Sequence, residues 1–337
     1  VQVGPPYFLP AESRRAMLSA LRSRVGAHLR PARVAGILGA ASARHLHHPQ
    51  SSPETLREVS RLLELAHREG LEEMASGVQA ADLPVLEWFA AQLANPTSDT
   101  PQARTMMDLQ DEMNRAMSLD LVQRVPLKKG SRVLELGFGG GNAITAMARR
   151  CADAGAQVIG VDTSKACCES ALMSLREGDA LSAAVQLRSG SVTDFFPFED
   201  GTFDAVYHLN CWHFWCDLDF SVSEMARVLK SRGTVLTGTK MGMLKALFGG
   251  RYEEVAAYFK NVDLLEYKEA LARANMREIH TELLNPLGDS STVTSYTLTS
   301  AKKPRGWAFK PVRGPENDCR AIPEPGSWPP YPPPTAS

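Results

Sequence analysis

The residues best suited to chemistry lie in "RVLELGFGGGNAITAMARR", Arg132–Arg150. An apolar run carrying one carboxylate, Glu135, passes into Gly137, Gly139, Gly140 and Gly141 and then into a helical pattern. Glycines at a strand–helix junction reach positive φ and leave bare backbone against which a ligand can lie. A dinucleotide site has the spacing G-x-G-x-x-G, with a pyrophosphate on the helix N-terminus. Here the spacing is G-x-G-x-G, and Asn142 stands where that motif needs its third glycine. Glu135 repels a pyrophosphate and suits a ligand that carries positive charge and hydroxyl groups. Further on, "VIGVD" ends in Asp162, 25 residues after Gly137. An acid there accepts hydrogen bonds from both hydroxyls of a ribose. An NAD ribose would be held the same way, so Asp162 alone does not discriminate. Its alternative role is to cap the helix that follows.

These groups need a scaffold, and the chain supplies alternating patterns from residue 131 onward. Strand-like pieces are "RVLELG", "AQVIGVD", "AVQLRSG", "FDAVYHLN" and "GTVLTGTK"; helix-like pieces fall at 142–152, 164–177 and 217–230. Such alternation predicts an α/β fold: a Rossmann-like, doubly wound, mostly parallel sheet with helices on both faces. "YEEVAAYFKNV" and "DLLEYKEALARAN" read as helices, and "MREIHTELL" and "STVTSYTLTSAKK" as two closing strands, one of them antiparallel. Ahead of the glycine loop, residues 53–125 read as a helical cap. Leu56, Val59, Leu62, Leu63 and Ala66 recur at helical spacing, "LPVLEWFAAQLA" carries Pro84 in its first turn, and a third helix spans roughly 104–124.

The ends have other compositions. Residues 1–50 carry seven arginines, no lysine and one acid, Glu12, and "AESRRAMLSALRSRVGAHLR" is amphipathic. Residues 1–52 therefore read either as a mitochondrial transit leader or as a basic surface helix. Residues 303–337 hold ten prolines and end "GSWPPYPPPTAS", which predicts an extended, unfolded tail. Pro329 and Pro332 form a PxxP, a weak candidate for an SH3-like groove.

Composition bounds what the chain does. The net charge of −1 over 337 residues attracts neither nucleic acid nor an anionic membrane, and no apolar run is long enough to span a bilayer. Six cysteines, none in a CxxC, indicate neither a zinc site nor a disulfide framework. A reducing compartment, cytoplasmic or mitochondrial and not secreted, is expected.

Over about residues 104–240 the chain resembles the class I S-adenosylmethionine-dependent methyltransferases, in the small-molecule group called methyltransferase type 11. The resemblance rests on "VLELGFGGGNAI", "VIGVDTSKACCESA", "LRSGSVTDFFPFEDGTFDAVYHLN" and "EMARVLKSRGTVLTGT". It implies S-adenosyl-L-methionine as cofactor and a small organic molecule as methyl acceptor. It places Glu135, Gly137, Gly139 and Gly141 on the methionine and ribose side, Asp162 on the ribose and Thr163 beside the adenine. Ser191 and Val192 would meet the adenine edge, Val192 through its backbone N–H. Family members often have aspartate at Ser191, and Asp194 is a substitute acceptor. Asn210 would offer its carbonyl to the cofactor's ammonium, and Asn114 would close over the methionine end.

The resemblance puts the acceptor at "HLNCWHFWCDLD", after the fourth strand. His213 is the candidate general base, with a packed histidine as the alternative. Trp212, Phe214 and Trp215 offer an aromatic wall. "LNCW" lacks the Asn/Asp-Pro-Pro-Tyr/Phe loop of nucleic-acid amino-methyltransferases, so no nucleic-acid substrate is expected. Two rivals remain: a methyltransferase-like protein that binds the cofactor, or nothing, and serves as a scaffold; and a nicotinamide dehydrogenase.

Overall fold

The computed structural model describes residues 83–98, 101–176, 181, 183–192, 196–242, 244, 251–286, 295–306 and 330–331. The basic leader, the first cap helix, Asp194 and the PxxP lie outside the described residues. Six helices are described: α1 (Leu83–Ala94), α2 (Pro101–Arg124), α3 (Asn142–Ala154), α4 (Lys165–Arg176), α5 (Leu218–Val228) and α6 (Leu264–Arg273). The strands are β1 (Arg132–Leu136), β2 (Gln157–Asp162), β3 (Val185–Ser189), β4 (Phe203–Leu209), β5 (Leu229–Thr239), β6 (Arg277–Leu284), β7 (Tyr296–Lys302) and β8 (Pro330–Tyr331).

The sheet runs β6-β7-β5-β4-β1-β2-β3-β8. Strands β3, β2, β1, β4 and β5 are mutually parallel, and β7 inserts antiparallel between β5 and β6. This is the expected doubly wound sheet with an antiparallel closing strand. The order reverses between β1 and β4, and a crevice opens at such a point outside the carboxyl ends of the strands. Pro330–Tyr331 pairs antiparallel with the β3 edge, where the tail's composition predicts unpaired chain.

Each face of the sheet buries its own core. Alternate residues Val133, Val158, Ala205 and Tyr207 pack against α2, α3 and α4, through Met117, Leu121, Ile144, Met147 and Cys168. Leu134, Ile159, Val206 and Val235 face the other way, onto α5 and α6, through Val222, Met225, Tyr267 and Leu271. Burial of an aliphatic or aromatic side chain contributes about 1.5–3 kcal/mol, so these two faces fix the sheet. Caps set the helix ends. Pro101 opens α2 where its missing N–H costs nothing. Asp217 accepts from Phe220 N at 2.9 Å ahead of α5, and Asp263 from Leu265 N at 2.8 Å ahead of α6. Gly155, left-handed at φ 63°, ends α3.

Two local expectations are corrected. The helix expected over 252–262 is a series of turns, although Val255 and Phe259 are buried. Tertiary bonds hold this segment: Lys260 N and Asn261 N both donate to His213 O, at 2.8 and 3.1 Å. The helix expected to reach 230 ends at Val228, and Leu229 begins β5.

Candidate active site

The glycine loop joins β1 to α3, and its backbone is shaped by positive φ at Gly137, Gly139 and Gly141. Three of its N–H groups, those of Gly137, Gly139 and Gly141, are already taken. Gly137 N donates to Val161 O at 2.7 Å and Gly141 N to Phe138 O at 3.2 Å. Gly139 N donates to Asp162 Oδ2 at 2.9 Å, while Ser164 N donates to Asp162 Oδ1 at 2.8 Å. The carboxylate of Asp111, on α2, lies against Gly140, whose backbone N–H favours its ionised form. Asp111 occupies the space that Gly140 leaves, since a Cβ there would collide with its carboxyl group.

Above the loop lies a cavity of about 350 Å3, within the range of small-ligand pockets. Of the residues singled out in the sequence, Gly137, Gly139, Asp162, Thr163, Ser191, Val192, Asn210, Asn114 and Trp215 line it together. Phe214 joins them, with Leu93, Gln110 and Met113 from the cap helices and Leu244 from beyond β5. The segment at Ser191 and Val192 is braced from α5, where Ser221 Oγ donates to Val192 O at 2.9 Å.

Asn210 ends β4 in the left-handed region, φ 49°, a conformation uncommon for a residue with a Cβ. Its Oδ1 accepts from Lys240 N at 2.8 Å, and its Nδ2 donates to Asn114 Oδ1 at 3.1 Å. The pair ties the sheet's carboxyl edge to helix α2. Asn142 Nδ2 adds a bond to Asp111 O at 2.8 Å, and Lys240 Nζ donates to Met113 O.

Four expected site residues stand away from the cavity. Glu135 is fully buried, because its β1 position pairs in register with Tyr207 of β4, whose hydroxyl donates to Glu135 Oε2. Glu135 Oε1 has no partner among the described residues. Gly141 faces helix α4: a Cβ there would lie 2.7 Å from Ala171 Cα. Trp212 stacks on Tyr267, ring centroids 5.0 Å apart, and its Nε1 donates to Thr239 Oγ1 at 3.0 Å. His213 has zero exposure, with Nδ1 2.9 Å from Asn261 O. Burial lowers its pKa to about 4.

Three carboxyl groups surround the loop, and each is held above its ordinary range. Burial is the largest cause in every case. It lifts Glu135 to about 8, against a lowering by the Tyr207 bond and with a further rise from Asp162. Asp162 is lifted to about 6 despite its backbone bonds to Ser164, Gly139 and Thr163. Asp111 is lifted to about 6, with Asp108 adding to the rise and Gly140 N–H and Arg115 opposing it. No lysine, arginine or histidine lines the cavity among the described residues. With Glu135 keeping its proton to about pH 8, the negative charge at the loop is that of Asp162 and Asp111. Sequence reasoning missed Asp111, which lies 29 positions ahead of Gly140 and meets it only through the docking of α2.

Comparison with known proteins agrees with this geometry. Residues 134–237 match the family described as methyltransferase domain, Methyltransf_11. Over 128 residues the chain is 32% identical to a ubiquinone biosynthesis O-methyltransferase of Alkalilimnicola ehrlichii, a match covering 37% of this chain and 49% of that protein. The chain thus spans about half the length of that curated relative. In fold it is similar to a complex of the Haloferax volcanii Trm112 methyltransferase activator with a methyltransferase. That likeness has TM-score 0.50 and 18% identity, and covers 64% of this chain and 97% of that one. No helix among the described residues is long and apolar enough to cross a membrane. Residues 134–237, which hold the glycine loop, most of β1 and the strands β2 to β4, are thus similar to the methyltransferase domain of the Methyltransf_11 family.

Proposed function

We propose that the chain transfers a methyl group from S-adenosylmethionine to a small organic acceptor bound in the same cavity. The observation that carries this reading is the state of the glycine loop. A dinucleotide site keeps its loop N–H groups for phosphate. Here Asp162 accepts from Gly139 N and the Asp111 carboxylate lies against Gly140, so a pyrophosphate would meet carboxylates. A ligand with a sulfonium and an ammonium meets favourable charge instead.

The donor set suits that cofactor. Each Asp162 oxygen accepts one backbone N–H and keeps a lone pair for a ribose hydroxyl. Thr163, Ser191 and Val192 line the wall where the adenine would lie, and Asn114 and Asn210 stand over the methionine end. When bound, the cofactor supplies a methyl carbon already activated by its sulfonium, open to in-line displacement. The chain's own residues bring two reactants together and exclude water. Alignment alone supplies roughly 7–11 kcal/mol of such a barrier. The acceptor would rest against Leu93, Met113, Phe214, Trp215 and Leu244, with Gln110 for a polar contact. That apolar lining favours an uncharged or mixed acceptor. His213 is not assigned as a base.

Calorimetric titration with S-adenosylmethionine tests the reading, with Asp162→Ala as the control variant. A loss of at least about tenfold in affinity is expected, the scale of one charge-assisted hydrogen bond or more. Unchanged affinity would refute the assignment. Methyl transfer from labelled donor into an extract distinguishes an enzyme from a scaffold that binds without turnover.

A further inference from the structure

Helix α2 brings a charge to the glycine loop that none of the sequence motifs contains. Asp111 lays its carboxylate against Gly140, next to the cavity-lining Gly139, while its own carbonyl is fixed by Asn142 Nδ2 at 2.8 Å. The residues flanking it in α2, Gln110, Met113 and Asn114, line the cavity, and Asp111 itself stands behind the loop. Gly140 is required at this contact, because any Cβ would displace the carboxylate. The other charged groups near it are Asp108 and Arg115 of its own helix and Asp162 at the tip of β2; the Cys167 thiol of α4 also lies within its field.

On the reading that this cavity holds S-adenosylmethionine, we propose that Asp111 is a specificity determinant that makes the site prefer the sulfonium donor over its neutral thioether product. The donor and the product share adenosine, ammonium and carboxylate, and differ by one methyl group and one positive charge. A carboxylate held behind the loop acts on that charge across a low-dielectric gap, and acts equally on everything the two ligands share. The donor therefore gains more affinity than the product does. Product leaves more readily from a site that discriminates in this way.

The test is calorimetric titration of the full chain, wild type and Asp111→Asn, with S-adenosylmethionine and with S-adenosylhomocysteine. The asparagine keeps the shape beside Gly140 while removing the charge. The expected result is a drop in the donor-to-product affinity ratio of at least about tenfold, the scale of one charge within about 12 Å at an effective dielectric near 20. Equal weakening of both ligands, or no change in either, would overturn the proposal, because a residue that only shapes the loop moves both together. Asp111→Ala, which cannot clash with Gly140, repeats the measurement if the asparagine variant does not fold. Loss of the fold in both would also overturn it, since the residue would then be structural. Failure of the wild type to bind either ligand would refute the cofactor assignment itself and is distinguishable from all of these.

Discussion

Replacing Arg227 by methionine should be among the most damaging single changes in the domain. The guanidinium is held by Glu224 at 2.7 and 2.8 Å, by the carbonyls of Phe196 and Phe198 at 2.7 Å each, and by Asp200 at 2.9 Å. Its side chain is 13% exposed, that of Glu224 1% and that of Asp200 70%. The Asp200 pair is open to water and contributes little. The Glu224 pair is different: removing one partner of a buried pair costs about 3–5 kcal/mol, because a charge is left without compensation. Phe196 N still donates to Glu224 Oε2 at 2.9 Å, which places the expected loss near the lower end, at about 3 kcal/mol. Urea denaturation of wild type, Arg227→Met and Arg227→Met/Glu224→Gln measures it. The double variant should be the more stable of the two, since an amide tolerates burial better than an orphaned carboxylate. A single-variant cost below about 1 kcal/mol, or a double variant no better than the single, would refute the reasoning. The same ion pair braces the chain beyond Val192, so the loss should also weaken cofactor binding in the variant that remains folded.

The remaining predictions concern protons. Glu135 ionises near 8 in the fold against an ordinary value of 4.5, so the folded state binds the extra proton and stability falls as pH rises between those values. Glu135→Gln should flatten that slope in urea midpoints taken from pH 5 to 8.5; an unchanged slope would show that the carboxyl is ionised in the fold. Burial lowers His208 to about 3 and His213 to about 4, so both stay neutral in the native state while the unfolded chain takes up protons below 6.5. Stability from these two is present above 6.5 and lost as pH falls toward 4. Their imidazole proton resonances should not move between pH 7.5 and 5.5, and a midpoint near 6.5 in either would contradict the packing described.

Much of this was legible in the residues. "VLELG" and "VIGVD" announce buried parallel strands by their continuous apolar character, and the glycines after the first mark the only backbone that can make that turn. Asp162 follows from its place at a strand tip. What was not legible depends on register and docking. Glu135 looks like a ligand group because it adjoins the glycines. The β1–β4 register puts Tyr207 beside it, and the pair closes on itself under the loop. Asp111 sits in an ordinary polar stretch of helix, and nothing local marks it as the partner of Gly140. "YEEVAAYFKNV" has helical propensity, yet Asn261 Nδ2 donates to Trp212 O and Trp215 O at 2.9 and 2.8 Å, and these long-range bonds set its path. Trp212 reads as part of an acceptor wall with Phe214 and Trp215 because aromatic residues after β4 look alike whether they face a ligand or a core. Only Phe214 and Trp215 of that run face the cavity.

The antiparallel insertion of β7 has a consequence for synthesis. Strand β5, with Val235 and Leu236 buried, has its outer neighbour supplied by residues 296–302. Lys303 then closes the seam, its ammonium donating to the carbonyls of Leu229 at 2.6 Å and Arg227 at 3.2 Å. A nascent chain that has released only its first 290 residues carries every group of the proposed cofactor seat and still has an open apolar edge at β5. Such an edge recruits other strands. The window between emergence of β5 and arrival of β7 is therefore when this domain most needs a chaperone, and a truncation anywhere in that interval should yield aggregate and no active fragment.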